Sequence, residues 1–412
     1  MASTTAEAAA GEDLSVEQSP SPPEPEVLTT QTVTGYARKV LGSLGDDSPI
    51  NVTSEISAEE IRGGNLNYAF CVKDVAGSSC FVKQAPDFIK ILGKDGPKLH
   101  RERMELEVKY YQECTAVLEA TANEYLPKIH NFDADQMVFI MDFLTDYELM
   151  QATLNAGTHT PVHSEKLGTV LGSLHAKTHC SRVSKEVAEK FTVDFKNEAL
   201  RGVQLEYVYS KAFRENEIPI DGRPAREFAK TVQGNEAFAT EMEKLKSLYN
   251  GEDTMDLALC HGDLHPGSVM VCPQSPFSIK IIDPEFAVYG PPGLDVGSLL
   301  SGYILAFSRE MQQGGTGTVQ RECATQLWTS YARAVKEGGL SDPQVEKIGQ
   351  DAVGFACAEA GRTCLGFAGE RAIALHDNES RIKAEAACFA LCVKCLTGRE
   401  GGISLLLQAM EG

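Results

Sequence analysis

The stretch from His261 to Phe286 constrains the fold of this chain more than any other part of the sequence. It contains HGDLHPGSVMV followed by SIKIIDPEF. The apolar residues before it predict a strand that leads into a tight loop, and VMV and SIKII predict a hairpin. Asp263 in the loop and Asp283 at the end of the hairpin would then lie side by side. Such a pair suits phosphoryl transfer, in which Asp263 accepts a proton from a substrate hydroxyl and Asp283 holds magnesium on nucleotide phosphates.

Residues near these two aspartates supply further polar groups. Ser268 stands where most kinases have an asparagine that binds the metal, and a hydroxyl is a weaker, neutral ligand. Glu285 adds a hard anionic oxygen two residues after Asp283. Asp295 either braces the catalytic loop through hydrogen bonds or serves as an acid at a helix N-terminus, and the sequence leaves both roles open.

Two upstream segments carry groups that suit nucleotide phosphates. In residues 61–70, IRGGNLNYAF, two glycines and Asn65 would let backbone N–H groups approach phosphates, although an ordinary hairpin turn has the same pattern. Lys83 ends an apolar strand and would bridge the α- and β-phosphates. Glu105 or Glu107 on the following helix would hold Lys83 in place, and the spacing does not distinguish between them.

The distribution of apolar residues divides the chain into a β-rich part and a helical part. INVTSEI, NYAFCVKDV and SSCFVKQA predict an antiparallel hairpin sheet, LHRERMELEVKYYQECTAVLE predicts a helix, and MVFIMDFL predicts a buried strand. After about residue 145 the pattern is helical, apart from a β-rich patch over residues 257–283. The predicted fold class is therefore α+β: a bilobal protein-kinase-like fold with a small antiparallel N-lobe and a large helical C-lobe.

We place three boundaries on this architecture. Residues 1–30 are rich in Ala, Ser, Glu and Pro and predict a disordered acidic tail. Residues 31–144 form the nucleotide-binding lobe and the hinge between lobes. Residues 145–412 form the helical lobe that carries catalysis and substrate binding.

Composition excludes several classes of protein. With 38 Lys and Arg against 58 Asp and Glu, the formal net charge is −20, which repels nucleic acids and anionic membrane surfaces. No apolar run is long enough to predict a membrane span. The 12 cysteines are too scattered for a disulfide scaffold or a zinc finger, so we expect a reducing compartment, the cytoplasm.

Two groups of potential metal ligands have simpler explanations. Cys388, Cys392 and Cys395 lie at i, i+4 and i+7 of a predicted helix, which indicates a buried apolar stripe rather than an iron–sulfur site. His175 and His179 are four residues apart on another predicted helix. No third ligand accompanies them, so we expect a structural role.

The motifs resemble those of the methylthioribose kinase family, which belongs with the aminoglycoside phosphotransferases and choline kinases. HGDLHPG is shared across that superfamily, whereas GGNLNYAF, FVKQA, Ser268 and DPEFAVYGPPGLDVGS are similar to this family in particular. The resemblance implies transfer of the γ-phosphoryl of ATP to the 1-hydroxyl of 5-methylthioribose, in methionine salvage. It further implies a magnesium-dependent homodimer.

The resemblance also assigns roles to single residues. Asp263 would be the base, and Asp283 with Glu285 would hold magnesium. Lys83 would contact phosphates. The MDFL segment would link the lobes, with backbone groups of Asp142 and Leu144 presented to adenine.

Three positions depart from the family pattern. Arg362 matches the first of two adjacent arginines that reach the substrate and the transferring phosphate, but Thr363 replaces the second. Loss of one guanidinium would weaken the stabilisation of transition-state charge by about a few kcal/mol, unless another cation takes its place. Gly369 stands where a histidine is usual, and the loop of residues 90–103 lacks the usual tryptophan, since the only one is Trp328.

These departures keep two alternatives open. The first is a kinase of the same fold that acts on another sugar or an amino alcohol. The second is a catalytically silent, nucleotide-binding regulatory protein, against which Asp263, Asp283 and Lys83 argue.

Overall fold

The computed structural model describes residues 26–62, 66–96, 98–214, 225–252, 256–274, 277–366, 368, 371 and 373–411. Its strands are β1 (Ile56–Glu60), β2 (Tyr68–Asp74), β3 (Ser79–Gln84), β4 (Ile129–Asp133), β5 (Val138–Asp142), β6 (Glu148–Leu149), β7 (Ala258–Cys260), β8 (Val269–Val271), β9 (Ile279–Ile281) and β10 (Val288–Gly290). Its α-helices are α1 (Val33–Gly42), α2 (Arg103–Leu118), α3 (Ala122–Tyr125), α4 (Met150–Ala156), α5 (Pro161–Thr178), α6 (Lys185–Asp194), α7 (Glu198–Tyr207), α8 (Ala225–Lys230), α9 (Glu236–Asn250), α10 (Gly293–Gln312), α11 (Thr318–Glu337), α12 (Asp342–Cys364), α13 (Asn378–Thr397) and α14 (Gly402–Ala409).

The N-terminal sheet is covered on both faces. Its strand order is β1-β2-β3-β5-β4, and every neighbouring pair is antiparallel. Alternate side chains of a strand point to opposite faces, so each face buries its own apolar set. Helix α1 covers one face, and α2 covers the other through Met104 and Val108, which pack with Phe139 and Met141. Lys83 lies on the central strand β3, opposite Phe139 of β5, and its side chain is on the face that α2 covers.

The first predicted strand begins later than its sequence suggests. Residues 50–55 of INVTSEI are not a strand, because Asn51 accepts hydrogen bonds from Thr53 N–H at 3.0 Å and from the Thr53 hydroxyl at 2.7 Å. Asn and Thr side chains that bond locally compete with a ladder, so the strand starts only at Ile56. The NYAFCVKDV and SSCFVKQA strands and the helix after them are confirmed. Helix α1 and strand β4 were not predicted, and neither were the short elements α3, β6 and β10.

The C-terminal lobe is a set of packed helices around a small hairpin. Helices α5 and α11 lie so close that a Cβ at Gly168 would fall 2.2 Å from the Leu327 carbonyl oxygen. Helix α5 starts at a capping box between Thr160 and His163, with Pro161 in the first turn. Strands β8 and β9 form the predicted hairpin, with Val269 opposite Ile281. Together the two lobes confirm the predicted α+β, protein-kinase-like fold.

The last residues of the predicted tail contact the N-terminal sheet. Residues 1–25 lie outside the described residues. From Glu26 onward the chain follows β3: the Leu28 N–H donates to the Gln84 side-chain oxygen at 2.7 Å, and the Gln84 amide donates to the Glu26 carbonyl at 3.1 Å. Glu26 and Leu28 therefore contact the sheet at the end of β3.

The two groups of potential metal ligands lie among other protein side chains, and ligand atoms of Cys260 and Asp295 lie within 4.8 Å of His175. Cys388, Cys392 and Cys395 are buried on α13, at 0%, 2% and 0% exposure, as the apolar stripe predicts. His175 lies 3.0 Å from the Tyr331 hydroxyl, and His179 lies 3.4 Å from an Asp256 oxygen. All 12 cysteines are free. Among the described residues, we find no helix with the length and apolarity to cross a bilayer.

Candidate functional site

Two loops that carry carboxylates are fastened together at the end of the β8–β9 hairpin. The His261 imidazole Nε2 lies 2.8 Å from the Ile282 carbonyl oxygen. The Ile282 N–H donates to the Ser268 carbonyl at 3.0 Å. These bonds fix the loop of Asp263 against the segment of Asp283, so both carboxylates border one site.

The Asp295 side chain holds the loop of Asp263 through hydrogen bonds to the loop backbone. Its two carboxylate oxygens accept the N–H groups of His261 at 2.7 Å and of Gly262 at 2.9 Å. Gly262 has φ +85°, and a Cβ there would fall 2.0 Å from the Phe286 carbonyl oxygen, so this turn requires glycine. Asp295 is fully buried and also lies in the first turn of α10, so the two roles that the sequence left open coincide.

Lys83 is paired with an acid on α2 and an acid on the hairpin. Its ammonium donates to both oxygens of Glu107 at 2.8 Å and forms a close ion pair with Asp283. Burial lowers the pKa of Lys83, but the charges of Asp283 and Glu107 raise it by more, so its pKa lies well above the ordinary value. The open choice is thereby decided for Glu107, since Glu105 is exposed on the other side of the helix.

Three carboxylates form a cluster that fits a magnesium ion. Glu107, Asp283 and Glu285 each place an oxygen within 4.8 Å of the others. Magnesium prefers such hard oxygen ligands and is usually held by one or two carboxylates together with phosphates. Lys83 occupies both oxygens of Glu107 but only Oδ1 of Asp283, so the fitting ligands are the half-exposed Asp283 and the buried Glu285.

The backbone around Glu285 is held from the helical lobe. Asn197, in the left-handed conformation just before α7, donates to the carbonyls of Glu285 at 3.1 Å and Ala287 at 3.0 Å. The Glu285 carboxylate itself accepts from the Asn67 amide at 2.8 Å, and Arg103 Nε lies 3.9 Å away. Glu285 is therefore oriented by groups of both lobes.

Asp263 lies beside an arginine that the sequence did not nominate. Arg371 Nη2 is 3.3 Å from Asp263 Oδ2, and His265 Nε2 is 3.5 Å from the same oxygen. Burial raises the pKa of the Asp263 carboxyl, but the charges of Arg371 and His265 lower it by more, so its pKa lies below the ordinary range. Asp263 is therefore ionised at neutral pH, as a proton acceptor must be.

Arg362 reaches this region through a shared carboxylate. Its guanidinium donates to both oxygens of Glu359, at 2.9 and 2.6 Å, and Arg371 pairs with the same carboxylate. Thr363, in the place of the second arginine, points its hydroxyl back to the Glu359 carbonyl at 2.9 Å. The second cation of the site is therefore Arg371, from the loop between α12 and α13, and its distance in sequence from Arg362 hides it from motif reasoning.

The remaining nominated residues lie at the edges of the site. The buried Ser268 hydroxyl is 3.4 Å from His265 Nε2. The Asp142 N–H donates to the Lys128 carbonyl at 3.0 Å, so a contact of Asp142 with adenine would use its carbonyl. The Leu144 N–H has no hydrogen-bond partner in the part of the chain that the structure describes. Asn65 and Gly369 lie outside the described residues.

Sequence comparison identifies relatives over most of the chain. The sequence profile described as "Phosphotransferase enzyme family" matches residues 57–331. A methylthioribose kinase of Bacillus cereus is 30% identical over 354 residues, which cover 82% of this chain and 86% of the relative. A methylthioribose kinase of Bacillus velezensis is 26% identical over 329 residues, covering 76% of this chain and 79% of the relative.

Structural comparison agrees on the fold. A solved choline kinase from Cryptosporidium parvum aligns with a TM-score of 0.53 and 15% sequence identity. The alignment covers 93% of this chain and 98% of that kinase. At this identity the likeness concerns the fold, so the chemistry of the acceptor has to be argued from the residues themselves.

Proposed function

This chain belongs to the phosphotransferase enzyme family, and we propose that it is an ATP-dependent kinase that phosphorylates the 1-hydroxyl of 5-methylthioribose. The product is 5-methylthioribose 1-phosphate, so the reaction belongs to methionine salvage. The observation that carries the proposal is the placement of Asp263, paired with Arg371, beside Lys83, Asp283 and Glu285 at the end of one hairpin.

One residue acts on the acceptor hydroxyl, and the others bind the nucleotide and its metal ion. Asp263 accepts the proton of the sugar hydroxyl at a carboxylate oxygen, and Lys83 binds phosphate oxygens from β3. Magnesium held at Asp283 and Glu285 supplies neutralisation of phosphate charge. The Asp142 carbonyl and the Leu144 N–H contact the adenine edge.

The charges around Asp263 favour a neutral acceptor. Arg362 and Arg371 face two carboxylates, Glu359 and Asp263, so these four side chains carry no net charge. A cationic amino alcohol would find no excess negative charge among them, whereas a sugar hydroxyl would find donors and an acceptor. The names of the two bacterial relatives agree with a sugar.

An alternative acceptor has one specific observation in its favour. Thr363 stands where the family has a second arginine, and its hydroxyl bonds to its own helix. Another pentose or a related small alcohol is the second candidate, because Arg371 contacts the site from a different direction. We further propose that the enzyme works as a homodimer. We also propose a cytoplasmic location, since the 12 free cysteines favour a reducing compartment.

Release of ADP from magnesium-ATP tests the proposal. Wild-type protein should release ADP on addition of 5-methylthioribose and much less with ribose, choline or an aminoglycoside. Asp263→Asn should lower the turnover rate by at least about 100-fold while ATP still binds. Asp342→Asn, on an aspartate that is 84% exposed, is the control and should leave turnover unchanged. Absence of sugar-dependent ADP release in the wild type would refute the assignment.

A further inference from the structure

Arg103, the first residue of α2, holds both ends of one loop. Its side chain is buried, and Nη1 donates to the carbonyls of Pro86 at 3.0 Å, Leu99 at 3.2 Å and His100 at 2.9 Å. These carbonyls lie at the two ends of the segment of residues 86–100, between β3 and α2. The guanidinium therefore fixes where this segment leaves and rejoins the N-lobe.

The same guanidinium orients Asn67, which in turn contacts Glu285. Nη2 donates to the Asn67 side-chain oxygen at 2.7 Å and to the Leu66 carbonyl at 3.3 Å. A guanidinium has only donors, so the oxygen of the Asn67 amide must face it and the NH₂ must face away. That NH₂ donates to Glu285 Oε2 at 2.8 Å, which makes a directed relay from Arg103 to Glu285.

A second contact between Arg103 and Glu285 is incomplete. Arg103 Nε is buried and has no hydrogen-bond partner within the described part of the chain, although it lies 3.9 Å from Glu285 Oε2. That distance is too long for a hydrogen bond. An unpaired buried donor is costly, so a small movement of the Glu285 carboxylate toward Arg103 is favourable. Glu285 thus has two orienting donors within reach on one of its oxygens.

We propose that Arg103 is a positioning residue for the magnesium site. Through Asn67 it sets the direction of the Glu285 carboxylate, and through the loop carbonyls it links that direction to residues 86–100. This inference rests on the proposed function insofar as Glu285 binds magnesium with ATP. Loss of a partner that orients a metal ligand commonly lowers metal affinity by about 10- to 100-fold.

Binding of Mn²⁺ in the presence of ADP, measured by electron paramagnetic resonance, tests the relay without an acceptor sugar. Arg103→Lys keeps the positive charge but loses the several N–H donors of the planar guanidinium. Asn67→Ala removes the amide that connects Arg103 with Glu285. Each should weaken Mn²⁺ binding by about tenfold or more. Arg101→Lys is the matched control, because Arg101 contacts Asp87 and the Asp135 carbonyl instead.

The double variant distinguishes a relay from two separate effects. If Arg103 acts through Asn67, the Arg103→Lys, Asn67→Ala protein should bind Mn²⁺ within about twofold of the weaker single variant. Multiplication of the two effects would overturn the proposal, and so would affinities within twofold of the wild type. Should Arg103→Lys fail to fold, Arg103→Gln takes its place in the single and double variants, since its amide still donates to carbonyls. A Mn²⁺ affinity of Arg103→Gln within twofold of the wild type would again overturn the proposal.

Trypsin cleavage after the exposed Lys94 tests the link to the loop. Saturating Mn²⁺ and ADP should slow this cleavage several-fold in the wild type but not in Arg103→Lys. Equal protection of both proteins would contradict the link. Neither measurement uses 5-methylthioribose, so a wrong acceptor assignment leaves both results interpretable, and a failed relay leaves the acceptor assignment intact.

Discussion

Arg371 shows what a single charge does for the base of this site. Motif reasoning found Arg362 and noted the missing second arginine, and the structure supplies the second cation from a loop nine residues further along the chain. Arg371 Nη2 lies 3.3 Å from Asp263 Oδ2, and its charge lowers the pKa of that carboxyl more than any other neighbouring group does. Its removal should therefore be visible in the pH dependence of the reaction.

Arg371→Gln should move the acid limb of kcat/KM to higher pH. The base is active when deprotonated, so a low pKa keeps Asp263 active at mildly acidic pH. Loss of the neighbouring charge raises that pKa, because the Arg371 guanidinium no longer stabilises the ionised carboxylate. The measurement is kcat/KM for ADP release between pH 4.5 and 8, with Arg371→Lys expected to restore much of the profile.

Arg333→Gln provides the comparison, because Arg333 is 53% exposed and lies 3.7 Å from Glu165, away from the site. Its profile should match that of the wild type. An unshifted acid limb in Arg371→Gln would show that Arg371 does not control the ionisation of Asp263.

The choice between Glu105 and Glu107 shows a limit of spacing arguments at this scale. Two residues on an α-helix correspond to about 200°, so the two glutamates face opposite sides. Which side faces Lys83 depends on how α2 lies on the sheet, and that is fixed by Met104 and Val108 in the core. The sequence predicts the pair of candidates, and tertiary structure selects the member.

At the scale of elements, strands flanked by Gly and Ser were predictable, whereas those without turn signals were not. NYAFCVKDV and SSCFVKQA surround an Ala-Gly-Ser turn, and both are strands. Strand β4, IHNFD, has only two apolar residues, and its five residues are all half-buried, so it gives no alternating pattern. Helix α1 is hard to predict because its apolar face follows directly on a Pro-rich tail.

Close contact between α5 and α11 predicts an asymmetry between two helical glycines. Gly168→Ala places a methyl group 2.2 Å from the Leu327 carbonyl oxygen, so the helices must separate. Overpacking of this kind costs about 1–3 kcal/mol. Gly202 on α7 has open space where a methyl group would lie, with nothing within 4 Å, so Gly202→Ala should be neutral or stabilise by up to about 1 kcal/mol.

The free energy of unfolding in urea measures both effects. Both substitutions are the same chemical change in the middle of a helix, so the difference between them isolates the contact of α5 with α11. Equal stability of the two variants would contradict the close approach of these helices.

At the scale of the whole molecule, a net charge of −20 says little about the substrate. The site instead depends on a few cations in a mostly acidic chain: Lys83 against three carboxylates, and Arg362 with Arg371 against Glu359 and Asp263. Composition indicates which classes of partner to exclude, and the motifs predict the fold and the carboxylates of the site. The contact of Arg371 with Asp263 and the contacts from Arg103 through Asn67 to Glu285 could not be predicted, because they join segments far apart in sequence.

A buried ion pair predicts how the stability of the helical lobe depends on pH. His179, at the end of α5, lies 3.4 Å from Asp256, which also accepts from Gln344 on α12 at 2.9 Å. Burial lowers the pKa of His179, but Asp256 and Cys180 raise it by more, to about 9. A histidine with a raised pKa stabilises the folded state fully below its unfolded pKa of about 6.5, and this contribution is lost as pH rises through 9.

Asp256→Asn should therefore destabilise the protein by about 1–2 kcal/mol at pH 6.5, allowing for the partial exposure of the carboxylate, and by much less at pH 10. The asparagine keeps an oxygen for Gln344, so the change mainly removes the charge. Urea midpoints at constant ionic strength and with reductant give the comparison. Glu59→Gln, on an exposed glutamate paired with Lys73, should show no such dependence on pH. A loss of stability in Asp256→Asn that is equal at the two pH values would mean that the charge of His179 does not contribute, and that Asp256 acts only as a hydrogen-bond acceptor between α5 and α12.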